Sequence, residues 1–175
     1  SETKLQNLRF MTPKGEKAVD ADAVVLALGG GSWPQLGSTG AWVEALAQQG
    51  IQVNPLKPAN CGFDVSWSEY FRDRFAGLPL KSVAASFNHL HKQGDCVITN
   101  AGIEGSLVYA LCAALREEIA MKGTATLYLD LAPNHSLASL MDKFSQPRGK
   151  QSLANHLRKR LGIEGVKAGL LREVL

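Results

Sequence analysis

No run of about 18 or more apolar residues, the length a membrane-crossing helix requires, occurs in this sequence. Its opening, Ser1-Glu2-Thr3-Lys4-Leu5, has no long apolar core of the kind a secretory leader carries. There is no Cys-x-x-Cys pair. The three cysteines, Cys61, Cys96 and Cys112, are odd in number, far apart and set among apolar residues. That disfavours zinc and reads them as small buried hydrophobes in a reducing compartment. Charge of one sign is also scarce: the net value is +3, too mild by itself to announce a nucleic acid or a membrane. These absences lead to the expectation of a soluble cytoplasmic protein without a membrane partner. The chain has no initiator methionine, so it is expected to be a fragment of something longer.

Three nucleotide and nucleophile motifs are missing as well. The glycine-rich stretch "ALGGGSWPQLGSTG", residues 27–40, follows the apolar run Ala23-Val24-Val25-Leu26. It is not a P-loop, because Gly31 and Gly37 have the wrong separation and no lysine follows Gly37. It is not the dinucleotide fingerprint G-x-G-x-x-G, because Pro34 stands in the third glycine's place. Nor is it a G-x-S-x-G elbow, since Pro34 stands two residues after Ser32. No Ser/His/Asp arrangement can be assembled from spacing.

What is present is a strand-like apolar run ending on glycines. A continuous aliphatic run of this kind reads as a parallel strand covered on both faces. Gly29 and Gly30 then remove Cβ at the strand's carboxyl end, where ligands sit in open α/β sheets. Pro34 stiffens the excursion, and Gly37, Ser38 and Thr39 offer N–H groups and hydroxyls at a helix start. A long βα turn without a ligand accounts for the same spacing.

The rest of the pattern divides the chain into an α/β piece (1–52), a β-rich piece (53–134) and a helical piece (135–175). In the first, "LQNLRFMT" and a "TPKGE" turn open a meander. Ser38 or Thr39 caps a helix through "GAWVEALAQQ", Gly50 ends it, and Ile51-Gln52-Val53 resumes an extended strand. In the second, 59–67 reads as a strand and 68–77 as a short helix or turn. "LKSVAASFNHL" reads as a half-buried strand, "HKQGD" as a hairpin turn and "CVIT" as the return strand. One helix is expected over 106–121, stopped by Gly123, and an alternating strand over 124–131. In the third, Ser136 caps "LASLMDKF", Ser152 caps "LANHLRKRL", and "GVKAGLLREVL" follows.

Other candidate groups have plainer readings. His89 and His91 are expected to be exposed hairpin residues, with no third ligand in view. His135 is placed in the turn before a helix, and His156, among Leu153 and Leu157 on a helix, as a boundary residue between its buried and exposed sides. "AGIEG" could cradle an anion but reads better as a tight turn; Glu104 within it would need burial to act as an acid or base. Eight cations, Lys143, Arg148, Lys150, Arg158, Lys159, Arg160, Lys167 and Arg172, face only Glu164 and Glu173 from residue 143 onward. Because no aromatic residue beyond Phe144 interleaves, this reads as a solvated or docking face; no nucleic-acid partner is expected.

"DADAVVLALGGGSWPQLGSTG" resembles the second cofactor-contact motif of flavoproteins with two dinucleotide-binding folds, where a β-meander returns to the sheet and A/V-T-G-G meets FAD. Its string GG-x-S-x-P-x-x-GSTG is similar to that of the BaiN-like (YhiN-type, aminoacetone-oxidase-like) family of FAD-dependent oxidoreductases. "GDCVITNAGIEGSLVYALCAALR" resembles that family's GE-hydrophobic-T-H-x-GISGP segment, and "YLDLAP" its acidic strand. The resemblance implies the C-terminal part of a Rossmann-like FAD domain, followed by an insert with a small antiparallel β-barrel and a helical subdomain. It implies a bacterial-type enzyme moving hydride between FAD and a nicotinamide, NAD(P)H, or an organic small-molecule substrate. FAD contacts are implied at Gly29, Gly30, Ser32 and Pro34, with Gly37, Ser38 and Thr39 next; no catalytic residue is implied. Leu28 stands where the family has Thr, Trp42-Val43 where Gly-Tyr is common, and Asn100, Glu104 and Ser106 where it has His, Ser and Pro. These departures mark a divergent subgroup. With G-x-G-x-x-G missing, the chain is expected to need the remainder of its own protein to hold FAD. The alternative class is a non-catalytic module whose basic helices bind RNA or a protein.

Overall fold

A computed structural model describes residues 7–173. Positions 5, 6, 174 and 175 of the expected first strand and last helix lie outside the described residues. The chain divides into two units, Ser1–Lys57 and Pro58–Leu175.

In the first unit, strands β1 (Leu8–Thr12) and β2 (Gly15–Val19) form the expected hairpin, with Thr12 opposite Gly15. The Thr12 hydroxyl donates to the Gly15 carbonyl at 2.7 Å and accepts the Lys14 N–H at 3.2 Å, which closes the turn. Helix α1 spans Trp42–Gln48. It ends as expected: Gly50 takes a left-handed φ of +74°, its N–H bonds Ala47 and that of Ile51 bonds Leu46. Three expectations need correction. Ser38 and Thr39 do not cap α1 directly; the N-cap is Ala41, and Thr39 Oγ1 accepts the Ala41 N–H at 3.3 Å, one step earlier. Residues 23–28 and 51–53 form no strand and belong to no ladder. A parallel strand exists only beside its neighbours, and the only ladder among residues 7–57 is the β1–β2 hairpin. None of residues 7–57 is buried, and Val25 is 89% exposed.

The second unit is built on a five-stranded antiparallel sheet. Strand β3 (Phe63–Asp64) is far shorter than the expected 59–67, and α2 (Glu69–Phe75) follows it. Strands β4 (Pro79–Phe87) and β5 (Leu90–Ile98) form the main hairpin. Its turn is Asn88-His89, not "HKQGD", which lies within β5; Phe87 pairs with Leu90, and Asn88 absorbs the turn with φ +52°. Strand β6 (Gly102–Glu104) precedes α3 (Ser106–Tyr109) and α4 (Cys112–Lys122). The single helix expected over 106–121 is thus broken at Ala110–Leu111. The break still leaves Val108, Leu111, Cys112 and Leu115 buried, and Gly123 stops α4 as expected. Strand β7 is only Tyr128–Asp130, yet the alternation of exposed and half-buried residues runs through 124–131. The sheet order is β3-β6-β5-β4-β7. It is a curled half-barrel, whose two-residue and three-residue edges do not pair with each other.

Helices α5 (Leu137–Ser145) and α6 (Leu153–Leu161) start where expected. Ser136 accepts the Ser139 N–H and Ser152 the Asn155 N–H, each at 3.2 Å. Helix α7 is Gly165–Glu173. His156 is not at a boundary: it is 3% exposed, with Nε2 3.3 Å from the Phe144 carbonyl and its ring edge-on to Phe144, and it pins α6 to α5.

The core collects Phe71, Leu80, Val83, Phe87, Ile98, Leu107, Leu111 and Leu170. Leu80 and Val83 are three apart, so in a regular strand they would face opposite ways. A bulge between them restores both to the core, with Ser82 at φ +50°. The bulge takes the Ser82 peptide groups out of the β4–β5 ladder. Its N–H donates to Asp95 Oδ1 at 2.8 Å, and its carbonyl accepts from Lys167 Nζ of α7 at 3.1 Å. The same ammonium donates to the Leu131 carbonyl at 2.7 Å. At the other end of α7, the Glu173 carboxylate accepts the Ser68 N–H and the Ser68 hydroxyl proton, the latter at 2.8 Å, while Ser68 Oγ caps α2 through the Phe71 N–H.

Lys167→Met keeps the alkyl stem and removes the donors. It is expected to lower stability by about 1–3 kcal/mol in urea unfolding of the intact protein; an unchanged midpoint would show that the ammonium is no tie. Cys96 makes a second, pH-dependent case. Burial, with Asp95 adding to it, raises its thiol from 9.0 to about 11. The folded state therefore favours the protonated thiol. Its contribution, roughly 2–3 kcal/mol, is complete below pH 9 and lost as pH rises through 11. Cys96→Ala should flatten the fall in stability between those values, and iodoacetamide at pH 8 should leave Cys96 unmodified until urea is added.

Candidate functional site

The glycine-rich loop is more ordered than its composition implies. Trp33 and Ser38 face each other as a two-residue bridge, their N–H groups exchanging bonds at 3.2 and 3.1 Å. Between them Pro34–Leu36 makes a single 3₁₀ turn, closed by the Gly37 N–H on the Pro34 carbonyl at 3.0 Å with Gly37 at φ +85°. Behind it the loop doubles back: the Gly40 N–H bonds the Gly30 carbonyl at 3.1 Å, and the Trp42 indole N–H bonds the Gly29 carbonyl at 3.1 Å. A Cβ on Gly31 would lie 3.5 Å from Gly40 Cα and 2.8 Å from the Leu56 side chain.

The seven residues singled out by sequence therefore share one loop but not one role. Pro34, Gly37 and Ser38 build the small turn, and Thr39 leads into α1. Gly29 needs its left-handed φ of +74°. Gly30 has no such need: its φ is not left-handed, and a Cβ there would meet only Ser38 Oγ at an ordinary 3.5 Å. Among the described residues, neither conformation nor packing accounts for glycine at position 30. Gly30, Ser32 and the Trp33 ring are exposed, Trp33 by 60%. Among the described residues nothing accepts from the Gly31 or Ser32 N–H. Such a surface leaves backbone N–H donors, a hydroxyl and an aromatic ring open to solvent. Trp33 was not singled out beforehand, since an aromatic beside three glycines reads equally well as a packing residue.

The other candidates of the sequence all belong to the second unit. Glu104 ends β6 exposed, without the enclosure an acid or base requires. "AGIEG" is not the expected tight turn: Gly102–Glu104 are strand β6, paired so closely with β3 that a Cβ on Gly102 would overlap the Phe63 carbonyl, and α3 beyond it has four residues. His91 Nδ1 lies 2.9 Å from Ser86 Oγ across the hairpin, His89 is in its turn and His135 is in the turn before α5. No group of three metal-ligating side chains occurs among the described residues. The thiols of Cys61 and Cys112 are 3.2 Å apart. Burial and then the neighbouring Cys112 push the Cys61 thiol up, against the pull of Arg116, so it is a weak nucleophile at neutral pH.

A separate concavity of about 220 Å³ lies in the second unit between α2, α6 and α7. Tyr70 and Arg74 line it from α2, Arg158 from α6 and Arg172 from α7, with Glu164 in the intervening turn. Sequence reasoning held Arg158 and Arg172 within a general basic segment and missed Tyr70 and Arg74. Their four-residue spacing, one face of a short helix, was the available signal. Lys167 leaves that segment altogether, since the fold consumes its ammonium.

Residues 57–174 match a family described as "HI0933-like protein barrel and H2TH domain". A curated protein of Haemophilus influenzae (strain ATCC 51907 / DSM 11121 / KW20 / Rd) named "Ribosomal RNA dihydrouridine synthase" is 24% identical over 148 residues. The aligned stretch is 85% of this chain and 35% of that protein, so the chain spans about a third of that relative's length. No helix among the described residues is long and apolar enough to cross a membrane.

Proposed function

The chain belongs to the HI0933-like family, part of the HI0933/BaiN-like FAD-dependent oxidoreductases, and from that premise we propose that it supplies the barrel and helices, plus one cofactor-facing loop, of a flavoprotein oxidoreductase. The family match across 57–174 carries this reading. The Rossmann-like part is proposed to be completed when Ala23–Leu28 takes its place in a parallel sheet with other strands of the longer protein. That placement would cover Val25, Leu26 and Leu28, now 89%, 60% and 46% exposed.

FAD supplies hydride chemistry when bound. Gly29, Gly30, Ser32 and Pro34 would hold it, with Gly37, Ser38 and Thr39 shaping the loop behind them. Gly30 would let backbone approach closely, and the Gly31 and Ser32 N–H groups, in exposed residues and without an acceptor among the described residues, would be available for hydrogen bonding. The Trp42 indole holds the Gly29 carbonyl, so this surface keeps its shape before any cofactor arrives. A reduced nicotinamide nucleotide is the proposed hydride donor.

A second observation bears on the acceptor. The relative named for ribosomal RNA favours a uracil base in RNA over the free small molecule expected from sequence. In a dihydrouridine the reduced bond is the C5–C6 double bond of the ring. The exposed Arg158 of α6 and Arg172 of α7 suit such a polyanion.

The loop assignment is tested by Gly30→Ala in the full-length protein. The structure has room for the methyl group, so the thermal midpoint should hold, while the flavin-to-protein ratio should fall with affinity about tenfold weaker. Full flavin retention by the variant would overturn the loop assignment. A colourless wild-type protein that takes up no added FAD would overturn the flavoprotein reading itself.

A further inference from the structure

The α2–α6–α7 concavity gathers positive charge that the fold leaves unneutralised. Among the described residues, none of Arg74, Arg158 and Arg172 has a carboxylate partner, whereas Arg9, Arg72 and Arg116 each do. Glu173, the acidic residue beside Arg172 in sequence, is spent on capping α2 through Ser68. Glu164 is the one carboxylate lining the cleft, against three guanidiniums. Those guanidiniums come from three different helices, so only the tertiary fold brings them together.

The arrangement is also pre-shaped. The Arg74 guanidinium lies 5.9 Å from the Tyr70 ring centroid and 5.8 Å from that of Phe75, and donates to Tyr70 Oη at 3.4 Å. Two aromatic faces thus hold it without using up its charge. The floor exists because Gly169 lets α7 sit directly on Phe75; a Cβ there would lie 2.3 Å from the ring. Tyr70 is 60% exposed and presents a free aromatic surface at the rim. Planar forked donors match phosphate oxygens, and an exposed ring beside them offers a base a stacking face. The aromatic that the basic segment lacks in sequence is supplied here by α2.

We propose that this cleft is a subsite for a single-stranded segment of RNA, with Arg74, Arg158 and Arg172 on backbone phosphates and Tyr70 under a base. It rests on the reading of RNA as the substrate and assigns that reading a place on this chain. The cleft binds and orients the strand; it takes no part in the redox step.

The test uses the intact flavin-loaded protein and a fluorescein-labelled single-stranded RNA oligonucleotide, titrated by anisotropy at several salt concentrations. Arg158→Ala and Arg172→Ala should each weaken binding about five- to tenfold at low salt. Each should also lower the slope of log affinity against log salt by about 0.7, the value for one phosphate contact on a single strand. Tyr70→Ala should weaken binding about fivefold or more with the slope unchanged. Lys159→Ala removes the same charge from α6 but lies outside the cleft lining, and should change affinity less than about twofold. Thermal midpoints of all four variants establish that they fold. If the wild type binds RNA while the two arginine variants keep its affinity and slope, the cleft assignment is wrong and RNA as substrate survives. An equal loss from Lys159→Ala would likewise overturn the cleft, showing diffuse attraction. If the wild type binds no RNA, both readings fall together.

Discussion

The bulge in β4 is the constraint from which the second unit follows. Leu80 and Val83 must both reach the core, and a regular strand cannot place residues three apart on one face. The extra residue solves the packing problem but removes one peptide from the β4–β5 ladder. Two opposite charges take up its groups, Asp95 from the neighbouring strand and Lys167 from α7. Because Lys167 also reaches Leu131, the residue just past β7, a single ammonium ties the sheet to a helix distant in sequence. From that tie α7 extends to Glu173, which holds Ser68 at the head of α2. The walls of the arginine-lined cleft are thus set by one irregularity in a strand.

Local signals were legible and long-range ones were not. Ser136 and Ser152 before apolar helical spacing, Gly50 and Gly123 after it, and the alternation of 124–131 all act within a few residues of their effect. Each could be read along the chain. The break at Ala110–Leu111 could not, because the buried positions keep a helical spacing across it. "HKQGD" looked like a turn because glycine and polar residues cluster there. Asn88 carries the left-handed conformation instead, and Gly94 lies in a ladder opposite Val83. The apolar run Ala23–Leu28 has the composition of a covered strand, but composition states what a segment needs and not where its neighbours are.

The candidate loop shows the same division. Sequence located it by its glycines, and only geometry sorted them. Gly37 closes a turn, and Gly31 and Gly40 let two stretches of backbone pass closely. Gly30 has no such reason among the described residues. For the cleft, the relevant residues sit on three helices separated by up to about a hundred positions, so a linear reading could see a basic tail and no more. Lys167 was counted in that tail; only the tertiary structure shows its charge already engaged.

The exposed Ala23–Leu28 run has a further consequence, for biogenesis. Its N–H and C=O groups are free of any ladder among the described residues, and its side chains are aliphatic and β-branched. A segment of that kind is a template onto which any passing strand can add, including the same segment of another molecule. While it stays unpaired, the segment is open to such addition at every stage of synthesis. Charged substitutions flanking this stretch, rather than within the well-packed sheet, are where solubility would be won.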